Sequence, residues 1–214
     1  MTVGAVETGT TDAREAHRAF LNRYYGLTHR IYDATRRYYL LGRDRTIARL
    51  CTEPWETLVE IGSGTGRNLR LLKRARPQAR LAGVDACDAM LEHARARCPW
   101  ARLMHGFAED VELGSILGRA PDRILLSYSL SMMDRPGAVL DHLSGQLAPG
   151  GELVVVDFAD GADLPAPAGR ALRRWLARFH VSQLEDPLFA GREAEIEYGA
   201  GRYWLAAWLG ARAR

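Results

Sequence analysis

Two stretches of the sequence carry residue types that could do chemistry. The first is Val59-Glu60-Ile61-Gly62-Ser63-Gly64-Thr65-Gly66, a short apolar run that breaks into glycines and leads into a helical pattern. Glycines in such a turn allow positive φ and let a ligand lie against the backbone. The start of the following helix offers unpaired N–H groups and partial positive charge, which suit a carboxylate or phosphate. The spacing is G-x-G-x-G. Arg67 stands where a dinucleotide fingerprint needs its last glycine, and no Gly-Lys-Ser/Thr follows, so NAD and ATP both fit poorly. Glu60 stands inside the apolar run, where a carboxylate is costly to bury without a partner. A ligand or the turn's own backbone would supply that partner. Asp85, 19 residues after Gly66, ends Gly83-Val84-Asp85. An acid at a strand end can accept both hydroxyls of a ribose. It can also cap the next helix, a task for which Asp88 competes.

The second stretch is Leu125-Leu126-Ser127-Tyr128-Ser129-Leu130-Ser131-Met132-Met133. It leaves an apolar run at the end where a parallel sheet presents its ligand crevice. The hydroxyl of Tyr128 can accept a proton or hydrogen bond, and its ring face attracts ammonium. The alternative is a core aromatic at a strand end with its hydroxyl in water. Met132 and Met133 read as pocket wall or core. The six histidines (17, 29, 93, 105, 142 and 180) show no close metal spacing, and no Cys or His forms a nucleophile–base pair. The three cysteines, Cys51, Cys87 and Cys98, lack C-x-x-C spacing and fit a reducing compartment better than a disulfide framework or zinc site.

These residues need elements to position them. The 214 residues predict one domain of globular composition, with 26% charged and 47% apolar residues. No run approaches a membrane span, and Met1–Thr10 lacks the pattern of a secretory signal. Residues 1–10 read as a frayed tail, 11–52 as a helical cap and 53–214 as the core. Within the cap, Phe20, Tyr24, Leu27 and Ile31 recur at helical spacing from about Asp12 to Leu50, and Tyr32, Tyr38, Tyr39 and Leu40 continue the stripe. After Pro54 the spacing predicts strands at Thr57–Ile61, Arg80–Val84, Arg102–His105, Arg123–Tyr128 and Glu152–Phe158. Helices are expected at Arg67–Ala75, Cys87–Arg97 and Pro136–Leu147. This alternation predicts an α/β parallel sheet covered on both faces. Glu193–Tyr198 and Arg202–Leu209, around Gly199-Ala200-Gly201, read as a closing hairpin.

Lys+Arg (29) exceed Asp+Glu (26) by only three, but the excess is unevenly placed. Arg14 to Arg49 holds nine arginines against Glu15, Asp33 and Asp44, and Arg170–His180 holds no acid. Such patches fit solvated helix faces. They also fit a surface for anionic lipid or phosphate. No nucleic-acid-binding signature accompanies them, so no nucleic acid partner is expected.

Glu60, the glycines and Asp85 together resemble the class I S-adenosylmethionine-dependent methyltransferases over about Glu56 to Phe158. The resemblance implies a Rossmann-like, seven-stranded, mostly parallel sheet with an N-terminal helical cap and a C-terminal antiparallel hairpin. It implies S-adenosylmethionine as cofactor and no metal. Glu60 would order the turn near the cofactor's amino group. Gly62, Ser63, Gly64 and Gly66, with Asn68 and Ser127, would lie against its methionine part. Asp85 would bind the ribose, and Ala86 and Met90 would border the adenine. Many relatives carry Gly-Asp-Ala after the third strand. Here Gly106-Phe107-Ala108-Glu109-Asp110 puts Phe107 at the Asp position, which leaves adenine to the backbone near Ala108, with Glu109 as a further candidate.

Three further segments are similar to the bacterial diacylglycerylhomoserine N-methyltransferases of betaine-lipid synthesis. They are Ile31–Arg45 (IYDATRRYYLLGRDR), Ser127–Met132, and Val156-Asp157-Phe158 with Leu172–Val181. That likeness implies three methylations of a homoserine-lipid amine. The arginines of 36–45 would hold the headgroup carboxylate, and Tyr24, Tyr25, Tyr32, Tyr38 and Tyr39 would wall the quaternary ammonium. Tyr32 and Arg43 would close the site over the cofactor's methionine carboxylate or the headgroup, with Arg43 counted among the cofactor-binding residues, and Tyr128 would line the amine channel. Leu172, Trp175, Leu176 and Phe179 fall on one helix face, with Arg170, Arg174 and Arg178 towards another, as in a helix at a membrane interface or one packed on a sheet. The implied location is cytoplasmic, peripheral on the inner membrane face. A phospholipid such as phosphatidylethanolamine, or a soluble amine, are alternative substrates. A cofactor-binding partner subunit without activity is the non-enzymatic alternative.

Overall fold

The computed structural model describes residues 39–210. The expected tail, most of the cap (Tyr24, Tyr25, Ile31, Tyr32, Arg36, Arg37 and Tyr38 among its residues) and the last four residues lie outside the described residues. In chain order the elements are α1 (Arg43–Leu50), β1 (Thr57–Ile61), α2 (Arg67–Ala75), β2 (Arg80–Asp85), α3 (Asp88–Arg97), β3 (Arg102–His105), α4 (Leu113–Leu117), β4 (Arg123–Ser127), α5 (Pro136–Ser144), β5 (Glu152–Phe158), α6 (Ala166–Ala177), β6 (Ala194–Tyr198) and β7 (Trp204–Gly210).

The seven strands form one sheet in the order β3-β2-β1-β4-β5-β7-β6. The first five pair in parallel, and β7 joins β5 and β6 antiparallel. This is the Rossmann-like, mostly parallel sheet with a closing hairpin that the spacing and the resemblance implied. The strands β1 and β4 read as continuous apolar runs because both of their faces are buried. Val59, Ile61, Ile124, Leu126, Leu153 and Val155 face a core that takes in Leu113 and Leu117 of α4 and Val139, Leu140 and Leu143 of α5. Leu58, Leu125, Val154 and Val156 face the other core, with Ile47 and Leu50 of α1, Leu69 and Leu72 of α2 and Leu176 of α6.

Where elements differ from expectation, local backbone chemistry explains it. Gly42, which with Pro54 punctuates the helical pattern in the sequence, has φ +76° and starts α1 afresh. A Cβ there would sit 2.4 Å from the Trp204 ring, so only glycine lets the chain pass this strand. The strand β4 stops at Ser127, one residue short, because Tyr128 has φ +55°. The hairpin's second strand starts at Trp204 because Gly201 and Arg202, at φ +66° and +51°, complete the connecting turn. α3 begins at Asp88, with Cys87 in extended backbone before it. α5 ends at Ser144, α6 begins at Ala166, and the five-residue α4 is an addition too short to register as a helical period.

Candidate active site

The sheet order reverses between β1 and β4: the chain leaves β1 for β2 on one side, while β4 pairs on the other. The chain therefore leaves these two strands towards opposite sides, and in open α/β sheets such a switch point, at the C-terminal strand ends, is where the ligand crevice lies. Glu60, the glycine turn, Asp85, Ser127 and Tyr128 all lie there.

The glycine turn folds back on β2, with the Gly62 and Ser63 N–H groups both donating to the Val84 carbonyl, at 2.8 and 3.1 Å. Gly66 follows and precedes α2. At Gly64, with φ +54°, a Cβ would meet nothing within 4 Å, so the backbone here borders open space. Asp85 shapes that bend. One carboxylate oxygen accepts the Gly64 N–H at 2.7 Å and the other accepts the Cys87 N–H at 2.9 Å. A carboxylate has about four acceptor positions, so this role is compatible with binding a ribose.

Glu60 is 1% exposed. Its Oε1 accepts the Asn68 side-chain amide at 2.7 Å, and its Oε2 has no hydrogen-bond partner among the described residues. Burial pushes its carboxyl up to about 8, with the Asn68 bond and the Arg43 and Arg67 charges opposing and Asp85 adding to the rise. Arg43, at the first turn of α1, is 6% exposed and contacts Asp44 at 3.6 Å. Asp44 also takes a two-pronged bond from Arg67 at 2.9 and 3.1 Å, which joins α1 to the helix that opens after the glycine turn.

Ser63 and Ser127 are buried beside the crevice, and neither hydroxyl has a partner among the described residues. Met90 and Cys87 are buried, with Ala89 and Met132 packed against them in a small cluster separate from both cores. Ala86 is half-buried, and its carbonyl lies 3.1 Å from His105 Nε2. Ala108 is buried and Glu109 half-buried on the turn after β3, with Phe107 edge-on to His105.

Tyr128 has a different task from the one its position suggested. It is 4% exposed, its ring lies edge-on to Phe158 at 4.8 Å, and its hydroxyl donates to the Leu41 carbonyl. Burial raises its hydroxyl far above the ordinary phenol range. In this arrangement the hydroxyl takes no proton from an amine; it fastens the chain before α1 to the end of β4. Tyr32, its expected companion, lies outside the described residues.

The sequence reading missed Asp44, Arg67 and Asp157 as structural partners of the site. Asp157 is fully buried, and burial raises its carboxyl to about 6. The signal was present: an acid inside an apolar strand singled out Glu60, and the same test applies to Val156-Asp157-Phe158.

A family model described as a methyltransferase domain matches residues 32–190. The chain belongs to the methyltransferase domain family. Its cofactor is S-adenosylmethionine. Among curated relatives, the trans-aconitate 2-methyltransferase of Methylobacterium radiotolerans is 33% identical over 162 residues, which cover 75% of this chain and 60% of that protein. The enzyme of the same name from Paracidovorax citrulli is 32% identical over 109 residues, covering 51% and 41%. The chain thus spans three fifths or less of these relatives' length. A methyltransferase solved with the Trm112 activator of Haloferax volcanii superposes with TM-score 0.71 at 16% identity, covering 89% of this chain and 97% of that one. The plantazolicin methyltransferase BamL, solved with SAH, gives 0.68 at 13%, covering 95% and 99%. Likeness at this level supports the fold.

The methyltransferase domain's own geometry fits the cofactor. A buried Glu60 oxygen that has no partner among the described residues, and open space over Gly64, would suit the ammonium and backbone of an amino-acid tail. Gly62, Ser63, Gly64, Gly66, Asn68, Ser127 and Arg43 are the residues that would hold that end, Asp85 the one that would hold the sugar, and Ala86, Met90, Ala108 and Glu109 those that would border the base.

Two measurements probe this. The folded chain keeps the Glu60 proton up to about pH 8, whereas the unfolded chain releases it near the ordinary glutamate value of 4.5. Between those values the unfolded state binds fewer protons, so stability falls as pH rises, by at most about 1.4 kcal/mol per pH unit. Glu60→Gln removes this loss. Its stability relative to wild type, from urea titrations across pH, should rise between pH 4.5 and 8 and then level off. Asp85→Ala should weaken S-adenosylhomocysteine binding by about 1–3 kcal/mol in calorimetry, as expected when hydrogen-bonding groups lose a buried acceptor.

Proposed function

We propose that this chain is an S-adenosylmethionine-dependent N-methyltransferase that converts the amine of diacylglycerylhomoserine to the trimethylated betaine headgroup. One observation carries this reading. The segments similar to the betaine-lipid enzymes, distant in sequence, meet at one place beside the crevice. The Tyr128 hydroxyl donates to Leu41, and the Tyr128 ring lies on Phe158. Tyr39 stands edge-on to Trp175 at 5.3 Å, and the Tyr203 hydroxyl donates to the Tyr39 carbonyl at 3.0 Å.

When bound, the cofactor supplies an electrophilic methyl group on a sulfonium that leaves as a neutral thioether. The chain's task is then to position the acceptor and exclude water. With the Tyr128 hydroxyl committed to Leu41, a group other than Tyr128 takes the proton released by the amine. In this reading the N-terminal region, residues 11–52, is the cap that holds the headgroup. Arg43 and the arginines before it meet the headgroup carboxylate.

The lipid substrate calls for a membrane surface as partner. The helix α6 buries Leu176, half-buries Leu172 and Trp175, and exposes Arg170, Arg173 and Arg174, with Arg178 exposed just past its end. From Trp175 the aromatic contacts run to Phe179 at 5.2 Å, which is 37% exposed. A cationic face with an aromatic edge suits the anionic inner face of a membrane, with the protein peripheral to it. No helix among the described residues is long and apolar enough to cross a membrane.

A second reading is favoured by the relatives named trans-aconitate 2-methyltransferase: transfer to an oxygen of a soluble carboxylate. A carboxylate is already deprotonated at neutral pH, so that reaction needs no base. Methyl-labelled S-adenosylmethionine with diacylglycerylhomoserine should give mono-, di- and trimethylated lipid whose label stays on the headgroup nitrogen when mild base removes the acyl chains. Label found only in base-labile esters of trans-aconitate would replace the first reading with the second. The chain should also sediment with vesicles containing anionic lipid, less so as salt rises, and Arg174→Glu with Arg178→Glu should release it. Equal recovery with neutral vesicles would remove the membrane from the reading.

A further inference from the structure

We infer that Asp157 is a positioning residue for methyl transfer, its buried carboxylate fixing the turn after β4 that borders the acceptor side of the crevice. The inference rests on the methyltransferase reading, whichever acceptor is correct.

The turn is held in a conformation it would not adopt alone. Tyr128 has φ +55°, the left-handed region that a bulky side chain rarely occupies. Such a residue is strained and persists only where its surroundings over-determine it. Here they do. The Tyr128 N–H donates to the Val156 carbonyl at 2.8 Å, and its hydroxyl donates to Leu41. The Ser129 hydroxyl donates to the Ile61 carbonyl at 2.9 Å. The Ser131 N–H donates to Asp157 Oδ2 at 3.0 Å, and the Ser131 carbonyl accepts the Ser182 N–H, from the chain after α6, at 2.7 Å.

Of these fastenings, that of Asp157 is made by a charged side chain, and it is wholly buried. Its other oxygen accepts the Phe158 N–H at 2.8 Å. Two backbone donors thus converge on one side chain, one on each oxygen. An amide offers one acceptor and would set its NH₂ against the second donor. A carboxylate meets both, which accounts for an acid in an apolar strand. Asp157 alternates with Val156 and Phe158, so it approaches the turn from the face opposite Glu60. The two buried acids hold the two sides of the crevice: Glu60 lies under the glycine turn, and Asp157 under the turn beside it. The two turns touch, since a Cβ on Gly62 would lie 2.5 Å from the Ser129 Cβ. Ser129 has its own tie to β1, so loosening Ser131 displaces mainly the far part of the turn. A misplacement of about 1 Å at a reacting centre can cost a hundredfold in rate.

The test compares Asp157→Asn with wild type. The expected result is a fall in kcat of tenfold or more, with S-adenosylhomocysteine affinity within threefold of wild type. Parallel loss of affinity, kcat and thermal stability would mark a general structural role and overturn the inference, as would an unchanged kcat. Should Asp157→Asn not fold, Ser182→Pro removes the donor that holds the same turn from the exposed side, and the same split between rate and affinity is expected. A wild type that methylates no acceptor counts against the proposed function instead. In that case hydrogen exchange decides: amide protection of the 128–133 peptide should fall in Asp157→Asn, and unchanged protection overturns the inference.

Discussion

The separation of two adjacent strands governs the site. Because β1 continues to β2 on one side of the sheet and β4 joins on the other, the turns beyond their C-terminal ends cannot pair with each other. The backbone there must find other partners, and the chain supplies them with side chains. Asp85 takes the Gly64 and Cys87 N–H groups, Asp157 takes those of Ser131 and Phe158, and Ser129 gives its hydroxyl to Ile61. The crevice is lined by groups whose first duty is to satisfy backbone that the sheet has left unpaired.

That duty explains why acids sit so deep. Glu60 and Asp157 are each buried among apolar neighbours on opposite faces of the sheet, and burial raises both carboxyls. Asp157 balances the cost of burial with two backbone donors. Glu60 has a single protein partner, Asn68, among the described residues. The contrast separates a carboxylate with both oxygens spent on backbone from one with an oxygen left over among the described residues.

Surface electrostatics act on a smaller scale. The pairs Arg45–Glu197 and Arg49–Glu195 join α1 to the edge strand β6 at 2.6 Å, with largely exposed partners. Exposed pairs of this kind contribute about 0–1 kcal/mol each. What fixes α1 is apolar: Ile47 and Leu50 sit in the core beside Trp208, and Gly42 lets the chain cross Trp204. Arg43 is carried to the neighbourhood of Glu60 by that packing. The arginines of α6 serve a separate face, turned outward by the burial of Leu176.

Most of the fold was legible in the sequence because the parallel sheet writes itself as apolar runs between helical periods. The bounds of β1, α2, β3 and β5 were readable to the residue, and the glycine turn with Glu60 and Asp85 announced a nucleotide-type crevice. The hydrogen bonds across the crevice were not legible. Tyr128 has the residue type for proton transfer, yet its hydroxyl is spent on Leu41, 87 residues earlier in the chain. Asp157 reads as one acid in an apolar strand, and its partner Ser131 is 26 positions away. Periodicity and turn chemistry are local properties that short windows of sequence contain. The partner of a buried polar group depends on which strand ends the fold brings together, so the tertiary structure alone decided what each of these side chains does.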